Sequence, residues 1–137
     1  MLKQKITQET TPESPETTDG AAVISAGDDN SGFASLAASL TEIRKLKDVL
    51  GYILRSNSSA IIDITEQDKI IEYATLSTQI SESSLEIAKQ FSMADIESVL
   101  VEGKNVKVLC MNVGENRISI FMEKTATHAG IIKRILL

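Results

Sequence analysis

The chain predicts an α/β (α+β) fold: one five-stranded antiparallel sheet with helices on its faces, in the order α-β-β-α-β-β-β-α. Three observations lead there. Two short Ile- and Tyr-bearing runs, Gly51–Ser56 and Ala60–Thr65, are joined by Asn57-Ser58-Ser59, as the arms of a hairpin are. A long segment of helical periodicity follows, from Ile70 to Phe91. Three more apolar runs, Ile96–Val101, Val106–Val113 and Arg117–Met122, are separated by short Gly-bearing turns, Glu102-Gly103-Lys104-Asn105 and Gly114-Glu115-Asn116.

Each element has its own local reason. In the first helix, Leu36, Leu40, Ile43, Leu46 and Leu50 recur three or four apart and share one face, so the reading is a helix over 35–49 stopped by Gly51. The hairpin turn is plausible because Asn tolerates a left-handed backbone. Asp68 is the expected N-cap of the long helix. On that helix Ile70, Tyr73, Leu76, Ile80, Ser84, Ile87 and Phe91 form a sheet-facing stripe. A second stripe, Ile71, Ala74, Thr78, Leu85 and Ala88, lies beside it, so the apolar side is wider than one sheet contact requires. The surplus serves either a deeper seat in the helix's own core or a second subunit. In the three-strand meander Val106–Val113 is the expected central strand. Thr125 is the expected cap of a closing helix through Leu136, with Lys133 and Arg134 in its last turns, where positive charge suits the helix dipole.

Composition sets bounds on function. The 137 residues suffice for one domain with a modest core, and 4% aromatics with no Trp make that core aliphatic. The net charge is −5. Most of it lies in residues 1–31, where Glu9, Glu13, Glu16, Asp19, Asp28 and Asp29 outnumber Lys3 and Lys5. That segment also holds both prolines, Pro12 and Pro15, so residues 1–32 read as a disordered acidic tail before an ordered domain over 33–137. Thr11-Pro12 and Ser14-Pro15 are hydroxyls before proline and thus possible phosphorylation sites, though composition alone favours an unmodified solvated tail. The nearly neutral body lacks the basic footprint of nucleic-acid binding and the polybasic patch of an anionic membrane surface. A single Cys, no secretory leader and no apolar run of membrane-spanning length point to a cytoplasmic protein with no membrane insertion. In that setting Asn57-Ser58-Ser59 matches the glycosylation acceptor pattern by coincidence.

Chemistry-bearing constellations are scarce. His128 stands alone, with no Cys, Asp or second His at metal-ligand spacing. Cys110 lies mid-strand, where burial raises a thiol's pKa and quiets it, and no third group is indicated to orient a Cys110–His128 couple. Gly103 and Gly114 are isolated hairpin glycines, not a phosphate loop. Asp63 has no carboxylate partner nearby, and strand alternation puts it opposite Ile62 and Ile64, toward solvent or a helix. No catalytic residue, metal ligand or cofactor is expected, and the chain reads as a binding protein.

The order of elements and the residues at their joints resemble the Roadblock family, which includes the dynein light chains and the MglB-type regulators. The resemblance spans about Leu36 to Leu136. It rests on Val49-Leu50-Gly51 before the first strand, on the Gly51–Thr65 hairpin, on Tyr73-Ala74-Thr75-Leu76 early in the long helix, and on the final hairpin around Gly114-Glu115-Asn116. One departure is Asn57-Ser58-Ser59, where many members place a Gly. The resemblance implies a profilin-like and longin-like domain that acts without catalytic chemistry. It implies a dimer, with itself or a paralogous Roadblock protein, made by pairing the third strands and packing the long helices. The matching positions are Ile96, Ser98, Val99, Leu100 and Val101 on the strand, and Ile71, Ala74, Thr78, Leu85 and Ala88 on the helix. It further implies a Ras-like small GTPase as partner, for which Glu72, Gln79 and Glu82 are the exposed candidates. The alternatives are a structural adaptor docking on a larger motor, signalling or membrane-associated complex, a thiol enzyme built on Cys110 and His128, and a profilin-like or longin-like ligand sensor.

Overall fold

The computed structural model describes residues 22–25 and 31–136. The five strands expected from the sequence form one antiparallel sheet, and a sixth strand joins its edge. In chain order the elements are β1 (Ala22–Ser25), α1 (Ser31–Arg44), β2 (Val49–Arg55), β3 (Ser59–Ile64), α2 (Ile70–Gln90), β4 (Ser98–Glu102), β5 (Val106–Val113), β6 (Asn116–Glu123) and α3 (His128–Leu136). The sheet order is β1-β3-β2-β6-β5-β4, with every neighbouring pair antiparallel. The unexpected strand, β1, pairs with β3 from Ala22 opposite Ile62 to Ser25 opposite Ser59. Most of the tail assigned to residues 1–32 lies outside the described residues; within it, β1 and the start of α1 are ordered secondary structure.

Alternation along each strand sorts side chains between two helical layers. Tyr52, Leu54, Leu109, Met111, Ile118, Ile120 and Met122 meet Leu36, Leu40 and Ile43 of α1 and Ile131 and Ile135 of α3. Ile53, Ile64, Val108, Cys110 and Phe121 point the other way, to Tyr73 and Ile80 of α2. The sheet is therefore sandwiched, with α1 and α3 on one face and, among the described residues, α2 on the other.

Several local expectations shift. α1 ends at Arg44, not 49, and a short turn closed by Val49 N–H on the Leu46 carbonyl (3.1 Å) passes straight into β2. Leu50 is thus a strand residue, and Gly51 sits inside the strand at a bulge against β6. A Cβ at Gly51 would meet the Asp63 carbonyl oxygen and lie 2.7 Å from the Ile64 Cα, and its φ of +155° is one L side chains rarely adopt. That is why glycine stands where the apolar-x-Gly entry places it. In the hairpin turn, Ser56 Oγ accepts the N–H groups of Ser58 (3.3 Å) and Ser59 (3.0 Å), so a hydroxyl organises a turn that lacks glycine.

Asp68 does not cap α2. It lies in a single 3-10 turn, Gln67–Lys69, and the N-cap is Lys69, with no side-chain cap bond. At the other end, Ser92 adopts a left-handed φ of 54°, and Met93 N–H reaches back to the Ala88 carbonyl at 2.9 Å, a Schellman closure made without glycine. α3 begins at His128, two residues later than a Thr125 cap would put it. In the sheet the central pair is β2–β6, and Val106–Val113 is central only to its own meander. Asp63 is buried and faces α1, where Arg44 Nε donates to its carboxylate at 3.2 Å.

Candidate interaction surface

α2 is held on the sheet by a narrow stripe. Its buried residues are Tyr73, Ser77, Ile80, Ser84 and Ala88, spaced three or four apart. Tyr73 stacks on Phe121 with ring centroids 4.5 Å apart. One turn on, Ser77 Oγ lies 2.6 Å from Ser119 Oγ, which in turn lies 3.4 Å from Cys110 Sγ. The stripe therefore alternates large and small side chains, with a satisfied buried polar chain at its centre. Ser77 escapes an apolar-stripe reading because serine scores as polar; its signal is its place midway between Tyr73 and Ile80.

Ile70, Ala74 and Leu76 pack partly buried against the same core, and the other apolar side chains of α2 and its C-terminal extension meet solvent. Ile71 is 66% exposed, Leu85 56%, Ile87 47%, Phe91 70% and Met93 48%. Ile87 and Phe91 share the wheel position of the sheet-facing stripe, as the sequence indicates, yet stand exposed. A helix rises about 1.5 Å per residue and a strand about 3.4 Å. Seventeen residues of α2 follow Tyr73, about 26 Å at that rise, against about 17 Å for the five residues of β6 from Phe121 back to Asn116, so the last turns of α2 overhang the sheet. A shallow groove at the C-terminal end of α2 is lined by Leu85, Ala88, Lys89, Ser92 and Ala94.

The second stripe divides. Ile71 and Leu85 are exposed, and Ala74 and Thr78 are half-buried, with Thr78 Oγ1 donating to the Ala74 carbonyl at 3.1 Å. Ala88 is 8% exposed, unlike Ile71 and Leu85, and shares the wheel side of Ser77 and Ser84. Of the strand positions, Ser98, Val99, Leu100 and Val101 lie on β4, the outermost strand, whose outer edge no described strand pairs. Val101 is 38% exposed. Leu100 packs on the α1–α3 core and Val99 on the α2 side, as alternation requires. Ile96 precedes the strand, and its carbonyl accepts Asn112 Nδ2 at 3.0 Å. Glu72, Gln79 and Glu82 are exposed on the outward side of α2, and Lys69 Nζ lies 3.3 Å from the Glu72 carboxylate.

Cys110 and His128 stand on opposite faces of the sheet, so no thiol–imidazole couple forms. Cys110 lies in the α2 layer, and burial pushes its thiol pKa up, only partly offset by the bond with Ser119. His128 opens α3 on the other face, where its Nδ1 lies 3.2 Å from Nζ of the buried Lys107. Among the described residues no group of three or more His, Cys, Asp or Glu could hold a metal ion. No described helix is long and apolar enough to cross a membrane.

No family model and no curated protein matches the chain. Solved structures do. A Roadblock/LC7 domain from Streptomyces avermitilis superposes with a TM-score of 0.58 at 12% identity, covering 80% of this chain and 90% of that one. Myxococcus xanthus MglB gives 0.59 at 16% identity, covering 76% and 88%. The gliding protein MglB from Thermus thermophilus gives 0.59 at 13%, covering 77% and 84%. At such identities the likeness speaks for architecture, and the architecture of this chain is that of the Roadblock fold.

Proposed function

We propose that the protein is a non-catalytic Roadblock-type dimer that binds and regulates a Ras-like small GTPase. The observation that carries the reading is the exposed pair Ile71 and Leu85, which share one side of α2 with the half-buried Ala74 and Thr78, together with the open edge of β4; Ile87 and Phe91 stand exposed on another side of the helix. A large exposed apolar patch marks an interaction site. An unpaired edge strand invites a second strand. Together they favour a second copy that pairs β4 with β4 and packs α2 against α2, burying Ile71, Leu85 and the half-buried Ala74 and Thr78. The acidic outer side of α2, with Glu72, Gln79 and Glu82, would then lie near the dimer axis and face the GTPase. The fold-level likeness to MglB supports a GTPase as partner. The net charge of −5 and the domain's lack of a basic surface run favour a protein partner over nucleic acid.

The test is a pull-down of small GTPases from the same organism, each loaded with GDP or with a non-hydrolysable GTP analogue. Retention of one loaded state over the other is expected. Glu72→Lys combined with Glu82→Lys should weaken that retention at least tenfold. Capture that ignores the nucleotide would favour an adaptor, and no capture of any GTPase would remove the regulatory reading.

A further inference from the structure

On the α2 side of the sheet, one cross-strand row is unlike the rest. Register places Ala60, Arg55, Arg117 and Asn112 side by side on β3, β2, β6 and β5. Arg55 and Arg117 are directly opposite one another. Alternation from Ile53 and Phe121 turns both to the α2 face. Like charges directly opposite on a sheet destabilise it, so such a pair ordinarily has an acid beside it. Here neither guanidinium forms an ion pair or hydrogen bond with a described residue, and the neighbours along the row are a small apolar side chain and an amide. The Asn112 amide is already committed to the Ile96 carbonyl at 3.0 Å. Arg55 is half-buried while Arg117 is exposed, so the pair is open to solvent yet partly dry. Burial, and then the facing Arg117, pull the Arg55 pKa down, which is the mark of a cation with no counter-charge.

We infer that Arg55 and Arg117 form a binding fork for a phosphate-class dianion. Facing residues in an antiparallel pair have Cβ atoms about 4.5–5.5 Å apart, so two long guanidinium side chains can converge on one tetrahedral oxyanion. Each presents planar N–H pairs suited to bidentate contact with phosphate oxygens. A dianion neutralises both charges, whereas a single carboxylate neutralises one. Ala60 leaves room on one flank of the row. The site is independent of the dimer reading, because it needs only the strand register of one protomer.

The test is thermal unfolding of the full chain in phosphate-free buffer and then with inorganic phosphate at constant ionic strength, chloride making up the balance. In the wild type, phosphate at about five times its Kd should raise Tm by about 3–6 °C, and further as its concentration rises. Arg117→Gln should itself raise Tm by about 1–4 °C without phosphate, by relieving repulsion, and should abolish the phosphate effect. The two curves therefore cross, which a residue of purely structural role would not produce. Arg55→Gln should also abolish the phosphate effect. Stabilisation by inorganic phosphate at lower concentration than by O-phosphoserine assigns the fork to the free ion. The reverse order assigns it to a phosphorylated side chain, and both sustain the proposal. A wild type that does not distinguish phosphate from chloride, or an Arg117→Gln protein that keeps the effect, would overturn it.

Discussion

The two faces of the sheet are covered in different ways. Toward α1 and α3, Leu54, Leu109, Ile118, Ile120 and Met122 are at most 1% exposed, and Leu40 and Ile43 close over them. Toward α2 the sheet residues Ile53, Ile64, Val108 and Phe121 are at most 2% exposed too, but the helix meets them with two large buried side chains, Tyr73 and Ile80, the partly buried Ile70 and Leu76, and the small Ser77, Ser84 and Ala88. The first face is a finished core. The second is a helix set on small and hydroxyl-bearing residues, with its spare apolar surface turned outward. The sheet thus separates a face closed by two helices from one whose covering helix leaves apolar side chains in solvent, the surface proposed above for a partner.

Matched truncations test that separation most strongly. Leu40→Ala, on the closed face, should cost about 3–5 kcal/mol in urea unfolding, because it removes a fully buried side chain and leaves a cavity. Leu85→Ala, on the open face, should change protomer stability by less than about 0.5 kcal/mol at a protein concentration low enough to avoid self-association. Equal costs at the two sites would break the contrast. Next in size is Ser77→Ala. It strips one partner from the 2.6 Å contact with Ser119 and should cost about 1 kcal/mol; in the Ser119→Ala background the cost should shrink, which a double-mutant cycle reads directly. Ser92→Gly should go the other way and stabilise by about 0.5–1 kcal/mol, since the left-handed backbone at this helix end suits glycine better.

The smallest effect concerns pH. The buried Cys110 thiol has its pKa raised, chiefly by desolvation, so the folded chain keeps the proton where the unfolded chain gives it up. Its contribution is fully present below the unfolded thiol's pKa of about 8.5 and is lost as pH rises from there toward the folded value. Tyr52 is raised in the same direction, also by burial first, and adds to the decline at higher pH. Cys110→Ala should therefore flatten the fall in stability above about pH 8.5 without removing it. An unchanged slope would mean that the α2 face does not hold its thiol dry.

Much of the architecture was legible because it follows from periodicity and turns. The hairpin, the long helix and the meander announce themselves through Gly51, Gly114 and the alternating Ile, Leu and Val of the strands. What was not legible depends on where elements end relative to one another. Leu50 continues the stripe of α1 in sequence, yet belongs to β2 because the chain turns at Leu46. Ile87 and Phe91 fit the buried wheel position, yet are exposed because α2 outlasts the strands below it. Ala88 fits an outward stripe, yet is buried beside the groove that Leu85, Ser92 and Ala94 line. The pairing of Arg55 with Arg117 has no sequence signal, since strand register between distant segments creates it. Strand β1 was hidden for a similar reason: Ala22-Val-Ile-Ser25 is too short and too deep in an acidic, Thr-rich stretch to stand out.

The central claim is that the open α2 face is a self-association surface. Multi-angle light scattering on the full chain, beside an Ile71→Glu/Leu85→Glu variant, tests it most directly. Both positions are exposed in the protomer, so the variant should fold and keep its circular dichroism. Twice the 14.9 kDa of one chain is expected for the wild type, and a single chain's mass for the variant. A wild type of one chain's mass at high concentration, or a variant that stays dimeric, would contradict it.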